Sequence, residues 1–124
     1  MIAKEQKELL DFSKNLAMRA GEMLRKGFNR TLKVRYKGRI NPVTNLDVKA
    51  EKFITSAITR AYPDHEILAE EGTDSESESK CRWVIDPIDG TVNFTHAFPV
   101  YAVSIGLMYD GRPELGAVYD PDRD

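Results

Sequence analysis

The chain has 124 residues, of which 41% are hydrophobic and 31% charged, and its formal net charge is −2. This length suits one domain with its own core, and the nearly balanced charge offers no basic surface for nucleic acid or for an anionic membrane. No apolar run approaches the ~20 residues of a membrane span, and the charged amino terminus lacks the apolar stretch of a signal peptide, so we expect a cytoplasmic protein.

A long amphipathic helix is predicted for residues 4–28. Apolar side chains recur there at spacings of three and four, which line one face of an α-helix. The stripe consists of Leu9, Leu10, Phe12, Leu16, Ala17, Ala20, Met23, Leu24 and Phe28. We interpret it as core surface rather than as a cofactor site.

Residues 31–39 alternate apolar and cationic side chains, and this period of two predicts a strand or one arm of a hairpin. Two interpretations of the cationic face remain open. It is either a lysine-guarded edge strand exposed to water or a basic flap with a functional role.

A second helix is predicted to start near Thr44, because Thr44 and Asp47 resemble a capping box with aspartate in place of glutamate. Residues 62–64, Tyr-Pro-Asp, end this helix. Its buried face is predicted to consist of Phe53, Ile54, Ala57, Ile58 and Ala61.

Strands dominate the rest of the chain. A short strand is predicted at residues 66–70, a solvated loop at residues 73–80, and two strands at about Val100–Tyr109 and Leu115–Tyr119, joined by a hairpin turn at residues 110–113. The order of elements predicts an α+β layered domain in which two helices pack on a mainly antiparallel sheet.

The most informative segment is residues 83–94, which read Trp-Val-Ile-Asp-Pro-Ile-Asp-Gly-Thr-Val-Asn-Phe. Its apolar start predicts a buried strand, and Pro87 predicts a turn where that strand ends. Asp86 and Asp89 would then lie at the strand's end, where oxygen ligands can converge on a divalent cation. Taken alone, Asp-Pro-Ile-Asp-Gly is equally a good turn sequence.

The longer segment resembles the signature of the inositol monophosphatase family, Trp-x-Ile/Val-Asp-Pro-Ile/Leu-Asp-Gly-Thr followed by Asn-Phe. Residues 42–51 resemble the family's Val-Thr-x-x-Asp…Glu segment, and residues 67–72 resemble its paired-glutamate segment. The resemblance covers essentially the whole chain and implies a layered sugar-phosphatase-type fold. Family domains are much longer, so it also implies that residues 1–124 are an amino-terminal metal-binding half, truncated at the carboxy end, with the second α/β half missing.

The resemblance further implies a magnesium site. Glu70, Asp86 and the main-chain carbonyl of Ile88 would hold a first Mg²⁺ ion, and Asp86 with Asp89 would hold a second. The complete family fold holds two or three ions. Glu70 also counts among the implied catalytic residues.

The implied catalytic pair is Thr91 with Asp47, which would orient the attacking water, although Asp47 is also a plausible capping residue. Gly90, Thr91 and Asp89 would bind the substrate phosphate. Residues 91–94 could open a short helix whose free N–H groups face the anion.

The implied activity is magnesium-dependent hydrolysis of a phosphate monoester by metal-activated water. Residues 92–94, Val-Asn-Phe, resemble the inositol phosphatase branch, so inositol monophosphate or a related sugar phosphate is the expected substrate. Two alternatives remain: a phosphatase of another branch, acting on fructose 1,6-bisphosphate or a nucleotide 3′-phosphate, or a catalytically incompetent half-domain that needs a complementary chain. Homodimers and lithium sensitivity are common in the family.

Three further side chains are predicted to have no part in this chemistry. Cys81 is the only cysteine, which excludes an internal disulfide and favours a buried, unreactive thiol. His65 and His96 lie too far apart in the sequence to suggest a zinc site, and each is expected to be a surface or hydrogen-bonded histidine.

Overall fold

Two helices cover one face of a four-stranded mixed sheet in the computed structural model. The structure describes residues 1–27, 34–36, 42–69, 79–90 and 101–121. For residues 34–36 and 42–44 it describes the backbone only. The elements are α1 (Ala3–Gly27), β1 (Val34–Tyr36), β2 (Pro42–Thr44), α2 (Asn45–Ala61), β3 (Glu66–Ala69), β4 (Cys81–Asp89), β5 (Ala102–Tyr109) and β6 (Arg112–Tyr119).

The main sheet has the strand order β3-β4-β5-β6. Strands β3 and β4 are parallel, while β4–β5 and β5–β6 are antiparallel. A separate two-stranded ladder joins β1 to β2 in antiparallel register. The predicted α+β architecture, with two helices on a mainly antiparallel sheet, is confirmed.

Both helices lie where the apolar periodicity places them. Helix α1 was predicted for residues 4–28 and spans Ala3–Gly27, and α2 starts at Asn45, directly after Thr44. Asp47 is therefore the third residue of α2, the position that a capping box requires, and a carboxylate there also interacts favourably with the helix dipole. No helix in the described part of the chain is long and apolar enough to cross a membrane.

The core lies between the helices and the inner face of the sheet. Alternate residues of β4 and β5 point inward because side chains of a strand alternate between its faces. The most deeply buried apolar side chains are Ala20, Leu24, Ala50, Ile54, Ile58, Trp83, Val103 and Ile105. Burial of each large side chain among them contributes about 1.5–3 kcal/mol relative to an exposed one.

The predicted hairpin turn at residues 110–113 is confirmed in place but is tighter than expected. Asp110 and Gly111 have φ angles of 52° and 78°, as in the two-residue type I′ turn whose twist matches that of the flanking strands. Arg112 and Pro113 belong to β6, so the prediction that this strand begins at Leu115 was wrong. Pro113 is tolerated because β6 pairs only with β5 among the described strands, leaving an outer edge that needs no N–H donor.

Other predictions fall partly outside the described residues. The strand predicted for residues 31–39 is confirmed at Val34–Tyr36, and the orientation of its cationic side chains stays a prediction. Of the predicted loop at residues 73–80, Ser79 and Lys80 are described and lie in neither helix nor strand.

Candidate active site

Strand β4 continues through Pro87, so the prediction of a turn at that proline was wrong. The strand runs to Asp89, and its pairing with β5 shifts register between Asp86 and Asp89. This irregularity is a β-bulge, one of the few places in a sheet where proline is accommodated, because proline cannot donate a ladder hydrogen bond. Proline favours turns locally, and the sequence alone does not show that β5 pairs with this segment.

The bulge determines which way the two aspartates point. Asp86 lies opposite Ser104 and Asp89 lies opposite Ala102, so three steps along β4 match two steps along β5. Residues three apart on a regular strand face opposite sides, whereas Ser104 and Ala102, two apart, face the same side. The extra residue in β4 therefore places Asp86 and Asp89 on one face of the sheet. Asp86 is half-buried there and Asp89 is exposed.

This face is opposite to the helices and carries a hollow beside Asp86. The hollow has a volume of about 360 Å³ and is lined by Leu68, Ala69, Val84, Ile85, Asp86 and Ser104. Leu68 and Val84 remain 40% and 39% exposed on it. The hollow is thus mostly apolar, with one carboxylate and one hydroxyl at neighbouring register positions.

The backbone turns at Gly90, directly after Asp89. Gly90 has a φ angle of 96°, a backbone conformation that residues with a Cβ atom rarely adopt. The turn that the sequence indicated thus comes three residues later than Pro87. The predicted role of Gly90 in binding the substrate phosphate stays a prediction.

Asp47, the predicted partner of the attacking water, lies in the first turn of α2 and is 1% exposed. Glu51 follows one helical turn later on the same face and is also 1% exposed. Helix α2 packs against β4, the strand that carries Asp86 and Asp89. Glu51 belongs to the segment that resembles the family, but no role was predicted for it, although its spacing of four from Asp47 was visible in the sequence.

Two predicted site residues, Glu70 and Thr91, lie outside the described part of the chain, so their roles stay predictions. The short helix predicted at residues 91–94 also lies outside it. Within residues 1–27, 42–69, 79–90 and 101–121, no three histidine, cysteine, aspartate or glutamate side chains come together as a metal-binding group. Asp86, Asp89 and the carbonyl of Ile88 are nevertheless all oxygen donors on one short segment, and this donor set fits a hard divalent cation such as Mg²⁺.

The predicted environments of Cys81 and His65 are confirmed. Cys81 is a buried free cysteine, and burial raises the pKa of its thiol, which keeps it protonated and unreactive. His65 is hydrogen-bonded, since its Nδ1 accepts a hydrogen bond of 3.0 Å from Nε1 of Trp83. His96 lies outside the described residues.

Comparison with known proteins agrees with the family resemblance of the sequence motifs. A family model described as the inositol monophosphatase family matches residues 5–124. Inositol monophosphatase 3 of Solanum lycopersicum is 39% identical over 118 residues, which make up 92% of this chain and 44% of that protein. The structure of IMPase from Thermotoga maritima matches with a TM-score of 0.87 at 36% identity, over 93% of this chain and 45% of that one.

A further solved structure, SaIMPase-II with inositol monophosphate bound, matches with a TM-score of 0.73 at 34% identity. The match covers 94% of this chain and 41% of that one. The chain therefore spans less than half the length of the relatives that it matches.

Proposed function

Because the chain belongs to the inositol monophosphatase family, we propose that residues 1–124 form the amino-terminal, metal-binding half of a magnesium-dependent phosphomonoesterase. The proposed substrate is an inositol monophosphate or a related sugar phosphate. The observation that carries the proposal is the bulge in β4, which puts Asp86 and Asp89 on one face of the sheet.

The metal-binding residues in this proposal are Glu70, Asp86, Asp89 and the carbonyl of Ile88. The register of the parallel strands supports the inclusion of Glu70, because Ala69, the residue before it, lies opposite Ile85, the residue before Asp86. Bound Mg²⁺ would neutralise the phosphate charge and lower the pKa of a water molecule that it coordinates.

The remaining proposed roles belong to side chains and backbone of the chain itself. Thr91 and Asp47 would orient the attacking water, and Gly90 would let the backbone approach the phosphate. Burial of Asp47 supports an orienting role, since a buried carboxylate at the start of a helix has little freedom to reorient. A single orienting hydroxyl such as that of Thr91 would lower the barrier by about 3 kcal/mol, the size found for single transition-state donors.

The structure of SaIMPase-II with inositol monophosphate bound supports an inositol monophosphate as substrate. Phosphatases of the other branches, acting on fructose 1,6-bisphosphate or a nucleotide 3′-phosphate, remain alternatives to be tested with the same assay.

A second candidate function is a metal-binding half-domain that is inactive until a complementary chain joins it. Two observations favour it. The chain spans 44% of the length of inositol monophosphatase 3 of Solanum lycopersicum, and the face of the sheet that carries Asp86 exposes apolar side chains such as Leu68 and Val84. Leu68 and Val84 are register partners, and adjacent exposed apolar side chains are one feature of surfaces that contact another protein chain.

The decisive experiment measures phosphate release from inositol 1-phosphate by the purified chain, with and without Mg²⁺. Asp89→Asn is expected to abolish the release, whereas Asp110→Asn, the same chemical change in the β5–β6 turn, is expected to leave it intact because asparagine suits a type I′ turn. Equal loss in both variants would contradict the assignment of Asp89.

Binding of Mg²⁺ without turnover would instead favour the half-domain. It would be detected as stabilisation against urea, which reaches about 2.7 kcal/mol when the free ion exceeds its dissociation constant ~100-fold. Asp89→Asn should reduce that stabilisation and Asp110→Asn should not. A chain that neither releases phosphate nor is stabilised by Mg²⁺ would refute the metal site.

A further inference from the structure

Four aromatic rings connect α1, the end of α2 and strand β4. Phe12 of α1 meets Tyr62 edge-on at a centroid distance of 5.1 Å and Trp83 at 5.8 Å. The imidazole of His65 stacks on the ring of Tyr62 at 4.8 Å, with an angle of 6° between the planes. His65 is thus held between a stacking partner and Trp83, the only tryptophan in the chain.

The hydrogen bond between His65 and Trp83 requires a neutral imidazole. Nε1 of Trp83 can only donate, and it donates to Nδ1 of His65 at 3.0 Å. An imidazolium carries a proton on both nitrogens, so protonation would place two donors against each other. Trp83 is fully buried, so its N–H would have no water to turn to and would bear the cost of a buried, unsatisfied donor.

Burial disfavours the charged form of His65 and lowers its pKa below the usual 6.5, while the neighbouring Asp64 acts in the opposite direction. On α1, the charge of Glu8 adds to the effect of burial in raising the pKa of Tyr62, the stacking partner of His65. Glu66 and Arg82, next to His65 and Trp83 in the sequence, face each other at 3.8 Å.

We infer that His65 is a proton-sensitive clamp between the α2–β3 turn and strand β4. In the neutral state it fastens the turn to Trp83, and protonation releases this attachment. Strand β4 carries Asp86 and Asp89 beyond Trp83, so the clamp attaches the turn to the strand that bears the candidate site. The clamp is a property of the fold and does not depend on the proposed function.

The direction of the pH dependence follows from linkage. The unfolded chain binds a proton at the ordinary histidine pKa, and the folded chain binds it more weakly at His65. Unfolding therefore takes up a proton as the pH falls, and the free energy of unfolding decreases with it. The stabilisation by the clamp is complete above pH 6.5 and is lost as the pH falls through the lower pKa of the folded state.

The test measures urea unfolding through the fluorescence of Trp83 between about pH 8 and about pH 5, which brackets the ordinary histidine pKa. His65→Asn is the informative variant, because an asparagine oxygen can accept the hydrogen bond near the position of Nδ1 and cannot be protonated. His96→Asn is the matched control at the only other histidine. As the pH decreases from about 8 to about 5, the urea concentration at the unfolding midpoint should decrease more in the wild type and in His96→Asn than in His65→Asn.

Two results would overturn the clamp. One is a midpoint that falls as steeply in His65→Asn as in the wild type, and the other is a dependence abolished by His96→Asn. If His65→Asn does not fold, Trp83→Phe provides a second route, since it removes the donor and keeps an aromatic ring. The pKa of His65, followed by its imidazole proton resonance, should then rise relative to the wild type, and an unchanged or lower value would refute the role of the hydrogen bond.

Discussion

Replacing Gly21 by alanine sets helix propensity against packing at the contact between α1 and β6. Gly21 is buried within α1. A Cβ atom added there would overlap Cδ2 of Tyr119 and would lie 2.6 Å from its Cε2 and 3.1 Å from Cγ of Pro121. These atoms belong to an aromatic ring and to a proline ring rather than to the end of a flexible side chain.

The two effects have opposite signs and different sizes. Alanine is favoured over glycine by about 1 kcal/mol in the interior of a helix. An extra methyl group forced into a packed contact costs about 1–3 kcal/mol, and rigid neighbours on two sides put this site at the upper end of that range. We therefore expect Gly21→Ala to lower the free energy of unfolding by about 1–2 kcal/mol, with a loss of about 4 °C in Tm for each kcal/mol.

Urea unfolding followed by the fluorescence of Trp83 measures this difference. Gly106→Ala is the control, since a Cβ there would meet only carbonyl oxygens of Val84 and Leu115 at 3.8 and 3.9 Å. It should not destabilise the chain. A Gly21→Ala variant as stable as the wild type, or more stable, would show that the ring of Tyr119 yields at little cost and would refute the packing argument.

Three further outcomes are expected from the same unfolding measurement. Gly111→Ala should lose about 1 kcal/mol, because its φ angle of 78° is unfavourable for alanine, and no loss would contradict the type I′ turn. Leu24→Ala should lose about 2–5 kcal/mol, because Leu24 is fully buried, whereas Met18→Ala on the exposed side of the same helix should change stability little; similar losses in the two variants would contradict the burial of α1. Lys7→Ala, which removes an ion pair with Asp11 between two exposed side chains, should cost less than about 0.5 kcal/mol, and a larger loss would mean that the lysine stem packs on the core.

The helices were predictable because their signal is repeated many times. The predicted bounds of α1 are within one residue of the observed ones at each end, since apolar side chains recur over about five turns between Leu9 and Phe28. The extent of β4 was not predictable in the same way. Pro87 signals a turn locally, and only the pairing with β5 shows that a bulge accommodates it.

The candidate site shows the same limit. The sequence singled out Asp86 and Asp89, but their orientation depends on the register with β5 and could not be obtained from spacing alone. A hydrogen bond was one of two alternatives predicted for His65, but its partner was not predicted, because Trp83 lies 18 residues away along the chain. The burial of Glu51 could not be predicted, because a glutamate on a helix is usually exposed and only the packing of α2 buries this one.

Because Asp86 and Asp89 are three residues apart, the bulge in β4 is what keeps both carboxylates on one face, although a spacing of two residues would do the same without a bulge. A chain shortened by one residue between Asp86 and Asp89 would restore two steps on β4 for two on β5, with both carboxylates still on that face and an unbroken ladder. What the additional residue alters is the course of the backbone, because a bulge bends its strand and increases the local twist. Regular pairing is thus interrupted at this point, and the carboxylate of Asp89 points in a different direction from a carboxylate on a straight strand.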